Sequence, residues 1–422
     1  MANTSTDRPS IRRNRDLWLL LSGQAVSLVG VQAQFLALPL IVLSVSGSPS
    51  QASIVTGLGT NSFLFFGLIS GALADRWNRK AVMVWCEAGR AALVGSVALA
   101  LLTGHLGLAQ LYLVSVLSGV LSTLFQAASS AALPNIVTPA QLPTALGYMA
   151  TAQNTIRVFG AVAAGALYSV SRIVPFALNA IAYALSAVSL GLIRSEFQEE
   201  REQGPANLLR EMGEGVLWTW RQKVVRTLTL VSAGDSLRYG AGYLVIIVLA
   251  QEAGASTVMI GVIFSGAAVG ALIGAVLASR AVQRFPLGRI VVVMLWVEAV
   301  GFTLYAVAPN AGWLTAITAL ESLVAPVYGV AISTYRAAIT PDELRGRVSS
   351  ADFTLNTGAM SLGTLASGFL ISTLGAKRLV VVLSAWMVFL AVVTTVHRSV
   401  RTAPIASMAE SSGTARTTVG TA

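Results

Sequence analysis

Residues 71–80 read GALADRWNRK: small residues run into Asp75, Arg76, Arg79 and Lys80, with long apolar segments on both sides. Four charges in one short turn between such segments mark a loop at a membrane surface. The whole chain has a matching composition. Of its 422 residues 55% are hydrophobic and 11% charged, with a mean hydropathy of +0.72, whereas a soluble domain carries about 25% charged residues. Working outward from the loop, apolar segments near the roughly 20 residues that a spanning helix needs fall at 17–45, 54–74, 82–102, 108–133, 142–170, 173–193, 228–250, 259–279, 290–308, 313–335, 348–374 and 379–396. The pattern predicts an all-α membrane protein with twelve transmembrane helices.

The formal net charge is +10. Nucleic-acid binders gather such charge on one polar face or arm; here the 28 Lys and Arg are spread among short loops, the linker and the two terminal segments, and no nucleic acid is expected as a partner. They concentrate before the first span, after spans 2, 8 and 10, between spans 6 and 7, and in the tail, with only Arg172, Lys377 and Arg378 in the opposite loops. By the positive-inside rule both termini are expected in the cytoplasm, with the protein in the plasma (inner) membrane. A single cysteine, Cys86, excludes an intrachain disulfide and a cysteine metal cluster. The first apolar run is too long for a signal-peptide core and reads as a retained span.

The expected domain plan is a cytoplasmic segment at 1–16, a six-helix bundle at 17–193, a polar linker at 194–226, a second bundle at 227–397 and a disordered tail at 398–422. Within the linker, Leu208, Leu209, Met212, Val216 and Leu217 fall near helical spacing beside Trp218 and Trp220, as in a helix lying along a membrane surface, although a plain connector would also fit. The halves resemble each other. At an offset of 202 residues, Thr138-Pro139 meets Thr340-Pro341, Leu142 meets Leu344 and Asn154-Thr155 meets Asn356-Thr357; one residue further, Gly160 and Gly165 meet Gly363 and Gly368. Spans 5 and 11 are therefore equivalent elements of a duplication, and duplicated helical halves around a midplane site are a common build of secondary transporters.

GALADRWNRK between spans 2 and 3 resembles the signature loop of the major facilitator superfamily, with Asn78 in the place of a second glycine. Asn tolerates a left-handed backbone, so such a conformation is expected there. The stretches SSAALPNIVTPAQLPTALGYMATAQN and ITPDELRGRVSSADFTLNTGAMSLGTLASGFL resemble the branch that contains macrolide-efflux proteins and the enterobactin exporter. The resemblance implies two pseudo-symmetric six-helix bundles and a latch in the loop. In that latch, Gly71 would allow close approach of a neighbouring helix. Asp75 would face the positive end of a helix beginning near Asp342, and Arg76, Arg79 and Lys80 would hold the turn at the surface. Two departures bear on coupling. Antiporters of the superfamily often carry an arginine in span 4 and a Gly-Pro pair in span 5; here span 4 has no arginine, and span 5 has Gly160-Ala161.

Ionisable residues well inside spans are Glu87, Arg90, Arg157, Asp235, Arg238, Glu298, Glu321 and Asp352. Each costs about 2.5 to 3.5 kcal/mol at a helix centre on insertion scales, so they must be paired, protonated or wet. Glu87 with Arg90 and Asp235 with Arg238 stand three apart and can pair along one helix face. Five acids against three arginines still leave two acids over, and a carboxyl without a cation in a low-dielectric site can exchange protons near neutral pH.

The family arrangement implies that spans 1, 4, 7 and 10 line the cavity. Glu321, about 12 Å of helix rise into span 10, is the leading proton carrier, with Asp235 and Asp352 as further candidates. A hydrogen bond from Glu321 to backbone freed by Pro326 is the structural alternative. Gln34, Asn154, Arg157, Arg238 and Asn356 are candidate substrate contacts, Arg157 also as a partner of Asp235 or Asp352. Glu298, on an outer span, reads as packing or gating.

The function expected is export of a small amphipathic or hydrophobic compound by alternating access and proton antiport, with import or facilitated passage of a metabolite as the alternative. Substrate, protons and the lipid bilayer are the expected partners, a monomer the expected state. No cofactor or metal is implied. Neither an H-E-x-x-H site nor a G-x-x-x-x-G-K-[ST] loop is present, so an enzyme or ATP-driven pump is not expected.

Overall fold

A computed structural model describes residues 11–138, 140–195, 197 and 208–401. The N-terminal residues, the first part of the linker and the tail beyond Arg401 lie outside the described residues, as do the side chains of Asp75 and Arg76 and the surroundings of Gly71. Every long element is helical: α1 (Arg15–Ser46), α2 (Pro49–Arg76), α3 (Arg79–Thr103), α4 (Leu108–Ile136), α5 (Leu142–Val170), α6 (Val174–Gly191), α7 (Leu208–Arg221), α8 (Lys223–Glu252), α9 (Thr257–Arg284), α10 (Leu287–Thr303), α11 (Ala311–Ile339), α12 (Asp342–Leu374) and α13 (Ala376–Val396). Ten of these are long and apolar enough to cross a membrane. With α2 and α5, of 28 and 29 residues, they make the twelve long helices that the hydropathy pattern predicts. The thirteenth, α7, carries polar and apolar residues on different faces and lies in the linker.

Helix ends follow local chemistry. Asn14 caps α1, accepting from the Leu17 amide at 3.0 Å while its own amide nitrogen donates to the Ile136 carbonyl at 3.0 Å. This joins the start of α1 to the end of α4. Gly47 and Gly104 close α1 and α3 in the left-handed region, at φ +64° and +72°, where a Cβ would be strained. Asn78 corrects the expectation made for it. It is extended (φ −60°, ψ 110°) and caps α3, accepting from the Ala81 amide at 3.0 Å. A short polar side chain is selected here for capping.

The chain forms two compact units. One holds α1–α6 with the first turns of α9 (Ser256–Ser265); the other holds α7, α8, the rest of α9 and α10–α13. In the first, α1 packs on α5 and α6, α2 on α4, and α3 on α4 and α6. Its core includes Leu17, Leu20, Met83, Leu133 and Leu190. In the second, α8 packs on α12 and α13, and α10 on α11 and α13, around Val291, Leu295, Val324, Tyr328 and Met387.

Lipid removes the hydrophobic drive between helices, so close van der Waals contact between small residues carries much of the association. A Cβ on Gly363 of α12 would collide with the Leu237 carbonyl of α8, and one on Gly160 of α5 would come within 2.9 Å of Gln32 Cβ on α1. These are the glycines that the internal repeat aligns, each set against the first helix of its own half.

Candidate functional site

Among the described residues a dense polar assembly lies in the second unit, centred on Arg238 of α8, which is 3% exposed. Helical spacing puts Asp235 one turn before it. The Arg238 Nε and Nη2 atoms donate to Asp235 Oδ1 at 2.9 and 2.8 Å. Nη1 donates to Glu321 Oε1 of α11, and Nη2 also reaches Glu298 Oε1 of α10 at 3.3 Å. Tyr328 donates its hydroxyl to Asp235 Oδ2. Phe302 lies beneath the guanidinium, its ring centroid 5.1 Å from Cζ.

The planar fork of arginine suits this multivalent role, which the single point charge of a lysine would not fill. Glu298, expected to pack or gate, joins the cluster from α10 and is 1% exposed. Glu321 meets Arg238, so the cation, and not the backbone near Pro326, is its structural partner.

Asp352 takes no part in that cluster. It pairs with Arg336, in the last turn of α11, at 2.5 Å, and accepts from Thr229 at 3.3 Å. Arg157 is exposed, and the cations that Asp235 and Asp352 meet within their own unit are Arg238 and Arg336. Asn356 accepts from Ser232 and Ser236 at 2.8 and 2.9 Å, tying α12 to α8. Asn356, Asp352, Arg336 and Ser232 line a cavity of about 320 Å³.

The first unit treats its charges differently. Glu87 and Arg90 of α3 pair at 3.2 Å. Ser27 donates to Glu87 at 3.3 Å, and Arg90 donates to the Tyr183 hydroxyl at 2.5 Å while lying 4.0 Å from that ring's centroid. Gln34 accepts from Asn179 of α6, so its amide is engaged between helices. Asn154 is exposed, and neither it nor Arg157 is among the residues lining the two cavities.

Beside the Glu87–Arg90 pair opens a cavity of about 690 Å³ built from α1, α3, α4 and α5. Trp18, Phe125, Leu133 and Met149 supply apolar wall, Gln24, Gln126 and Ser129 supply hydrogen-bonding groups, and Arg90 brings the one charged side chain among its lining residues. Its size and mixed lining are those of a small-molecule site. The sequence signal for it was faint, because the lining residues are spread over four helices.

In the first turn of α3, Lys80 donates to the Ile193 carbonyl at 2.5 Å and Arg79 to the Phe197 carbonyl at 3.3 Å. Lys80 thus sits just past the carboxyl end of α6, where the helix dipole favours positive charge.

The chain matches the family model described as the Major Facilitator Superfamily over residues 20–237 and 227–418. It is 22% identical over 390 residues to Macrolide efflux protein A of Streptococcus pyogenes, covering 91% of this chain and 96% of that protein. It is 26% identical over 375 residues to the Multidrug efflux pump Tap of Mycobacterium tuberculosis, covering 85% and 87%. Among solved structures, a bacterial homolog of the human lysosomal transporter Spinster, inward-facing and unoccupied, superposes with a TM-score of 0.73 at 15% identity, over 91% of this chain and 97% of that one.

Proposed function

Because the chain belongs to the Major Facilitator Superfamily, and so is a multi-pass membrane transporter and not an enzyme, we propose that it exports a small amphipathic or hydrophobic compound of drug, antibiotic or siderophore type by alternating access. The observation that carries this reading is the 690 Å³ cavity: broad apolar wall for the body of such a compound, with a few amide and hydroxyl groups to orient it. The efflux relatives agree with an outward direction. We place the termini in the cytoplasm on the distribution of loop cations, and assign the signature loop, with Gly71, Asp75, Arg76, Arg79 and Lys80, as the inner latch.

Proton antiport is the coupling we propose, with Glu321 as the exchanging acid. Three buried carboxyls around one guanidinium form a group whose charge changes with each proton taken up, and a charge change in a dry site shifts the balance between conformations strongly. The test is efflux from proteoliposomes loaded with fluorescent dyes and macrolide-like compounds, with an imposed pH gradient. Gradient-driven movement in wild type, lost in Glu321→Gln, is the expected result. Movement of the same compounds that ignores the gradient would sink proton antiport, and gradient-driven uptake of metabolites instead of efflux would favour an importer.

A further inference from the structure

The carboxyls around Arg238 are not equally served. Asp235 meets three donors: Arg238 Nε at 2.9 Å, Nη2 at 2.8 Å, and the Tyr328 hydroxyl. Glu321 takes Nη1 and sits beside the Tyr305 hydroxyl. Glu298 receives only a share of Nη2, at 3.3 Å, through Oε1, and its buried Oε2 has no hydrogen-bond partner. The charges that act on it are Asp235 and Arg238 from α8 and Glu321 from α11. Tyr328 of α11 and Tyr305 of the turn after α10 are the other titratable groups of the cluster, and the buried face of α13, which also packs on α10, carries no ionisable residue.

An ionised Glu298 would place a third negative charge against one guanidinium at 1% exposure, with half of the carboxylate unsolvated. Two carboxylates already outnumber the cation, and like charges in one dry site do not all ionise. We propose that Glu298 carries a resident proton on Oε2, and that the cluster therefore exchanges a single proton, at Glu321. With Glu298 neutral, Arg238, Asp235 and Glu321 sum to −1, and one proton on Glu321 brings the cluster to zero. Were Glu298 ionised, two protons would be needed to reach the same neutral state. The exposures agree with this division: Glu321 is 8% exposed and Glu298 1%, so the exchanging acid is the one nearer to water. This assignment sharpens the proton-antiport reading, but the protonation state of Glu298 is measurable without any transport.

The experiment is infrared spectroscopy of the full-length protein in lipid at neutral pH, read at the protonated-carboxyl C=O stretch. Wild type should show a band that Glu298→Gln removes and Asp235→Asn leaves in place. If Glu298→Gln does not fold, Glu298→Asp keeps the carboxyl and should shift the same band. A band unaltered by either Glu298 variant, or its absence in wild type, overturns the proposal. In proteoliposomes Glu298→Gln should keep a pH-dependent rate and Glu321→Gln should lose it; loss of pH dependence in Glu298→Gln would make Glu298 the exchanging acid and overturn the assignment. If no gradient drives transport in wild type while the band is still lost in Glu298→Gln, antiport fails and the resident proton stands.

Discussion

In the first half of the molecule Glu87 and Arg90 pair one to one, beside a cavity lined mostly by uncharged residues. In the second, one arginine faces three carboxyls on three helices. The two halves share one plan, as the repeat around Thr138-Pro139 and Thr340-Pro341 shows, yet on the first span of each half Gln34 meets the neutral Asn179 while Arg238 meets a cluster of acids. The duplication therefore preserved helix packing and let the polar positions diverge, leaving a one-to-one ion pair in one half and an acid-rich cluster in the other.

The largest test of that difference is removal of each arginine. Arg238→Ala leaves three buried carboxyls without their cation, and loss of one partner of a buried ion pair costs about 3 to 5 kcal/mol. Against a typical stability of about 5 to 15 kcal/mol, much of the folded population should be lost. Arg90→Ala leaves one acid, which a single proton neutralises while Ser27 still donates to it. Its cost should be about 1 to 3 kcal/mol, that of an unsatisfied buried group. Thermal unfolding of the two variants in the same detergent checks this. Equal losses would mean that the second cluster is no more strained for charge than the first pair.

A smaller effect separates the repeat glycines. A Cβ on Gly363 meets the Leu237 carbonyl and the Ala241 amide nitrogen, all backbone, whereas one on Gly160 meets the Gln32 side chain. Backbone cannot step aside without moving α8, so Gly363→Ala should cost about 1 to 3 kcal/mol. Gly160→Ala should cost less, because Gln32 can change rotamer. The melting temperatures of the two variants give the comparison directly, and a more damaging Gly160→Ala would show that α1 is held more rigidly than α8.

How far the sequence reached follows the same division. Helices and the repeat were legible, because apolar runs and repeated sequence need no knowledge of what packs against them. The two pairs Glu87–Arg90 and Asp235–Arg238 were legible for the same reason, each spanning one helical turn. Glu298 was not, since it reaches Arg238 across 60 residues, and no spacing rule links different helices. Nor is Arg336 legible as the partner of Asp352: the tenth apolar segment ends at Tyr335, while the helix continues through Arg336 to Ile339. With Arg336 in the place of the exposed Arg157 as the third cation, five acids inside the helices still exceed their arginines by two, and both fall in one cluster.

The linker offers the mildest perturbation, and it tests whether burial, and not the mere presence of an ion pair, sets the contrast between the halves. Glu214 of α7 pairs with Arg347 of α12 at 2.5 Å, the two side chains 38% and 35% exposed. Water screens such a pair, and exposed ion pairs contribute about 0 to 1 kcal/mol. Gly215 holds the same two helices by shape, because a Cβ there would come within 2.6 Å of the Arg347 carbonyl carbon. Glu214→Gln should therefore shift the melting temperature by no more than a degree or two and lose even that shift in high salt. Gly215→Val should free α7 for proteolysis while leaving the rest of the fold intact. A large, salt-insensitive loss in Glu214→Gln would mean that the linker is held by charge after all, and that exposure is a poor guide to which ion pairs of this protein matter.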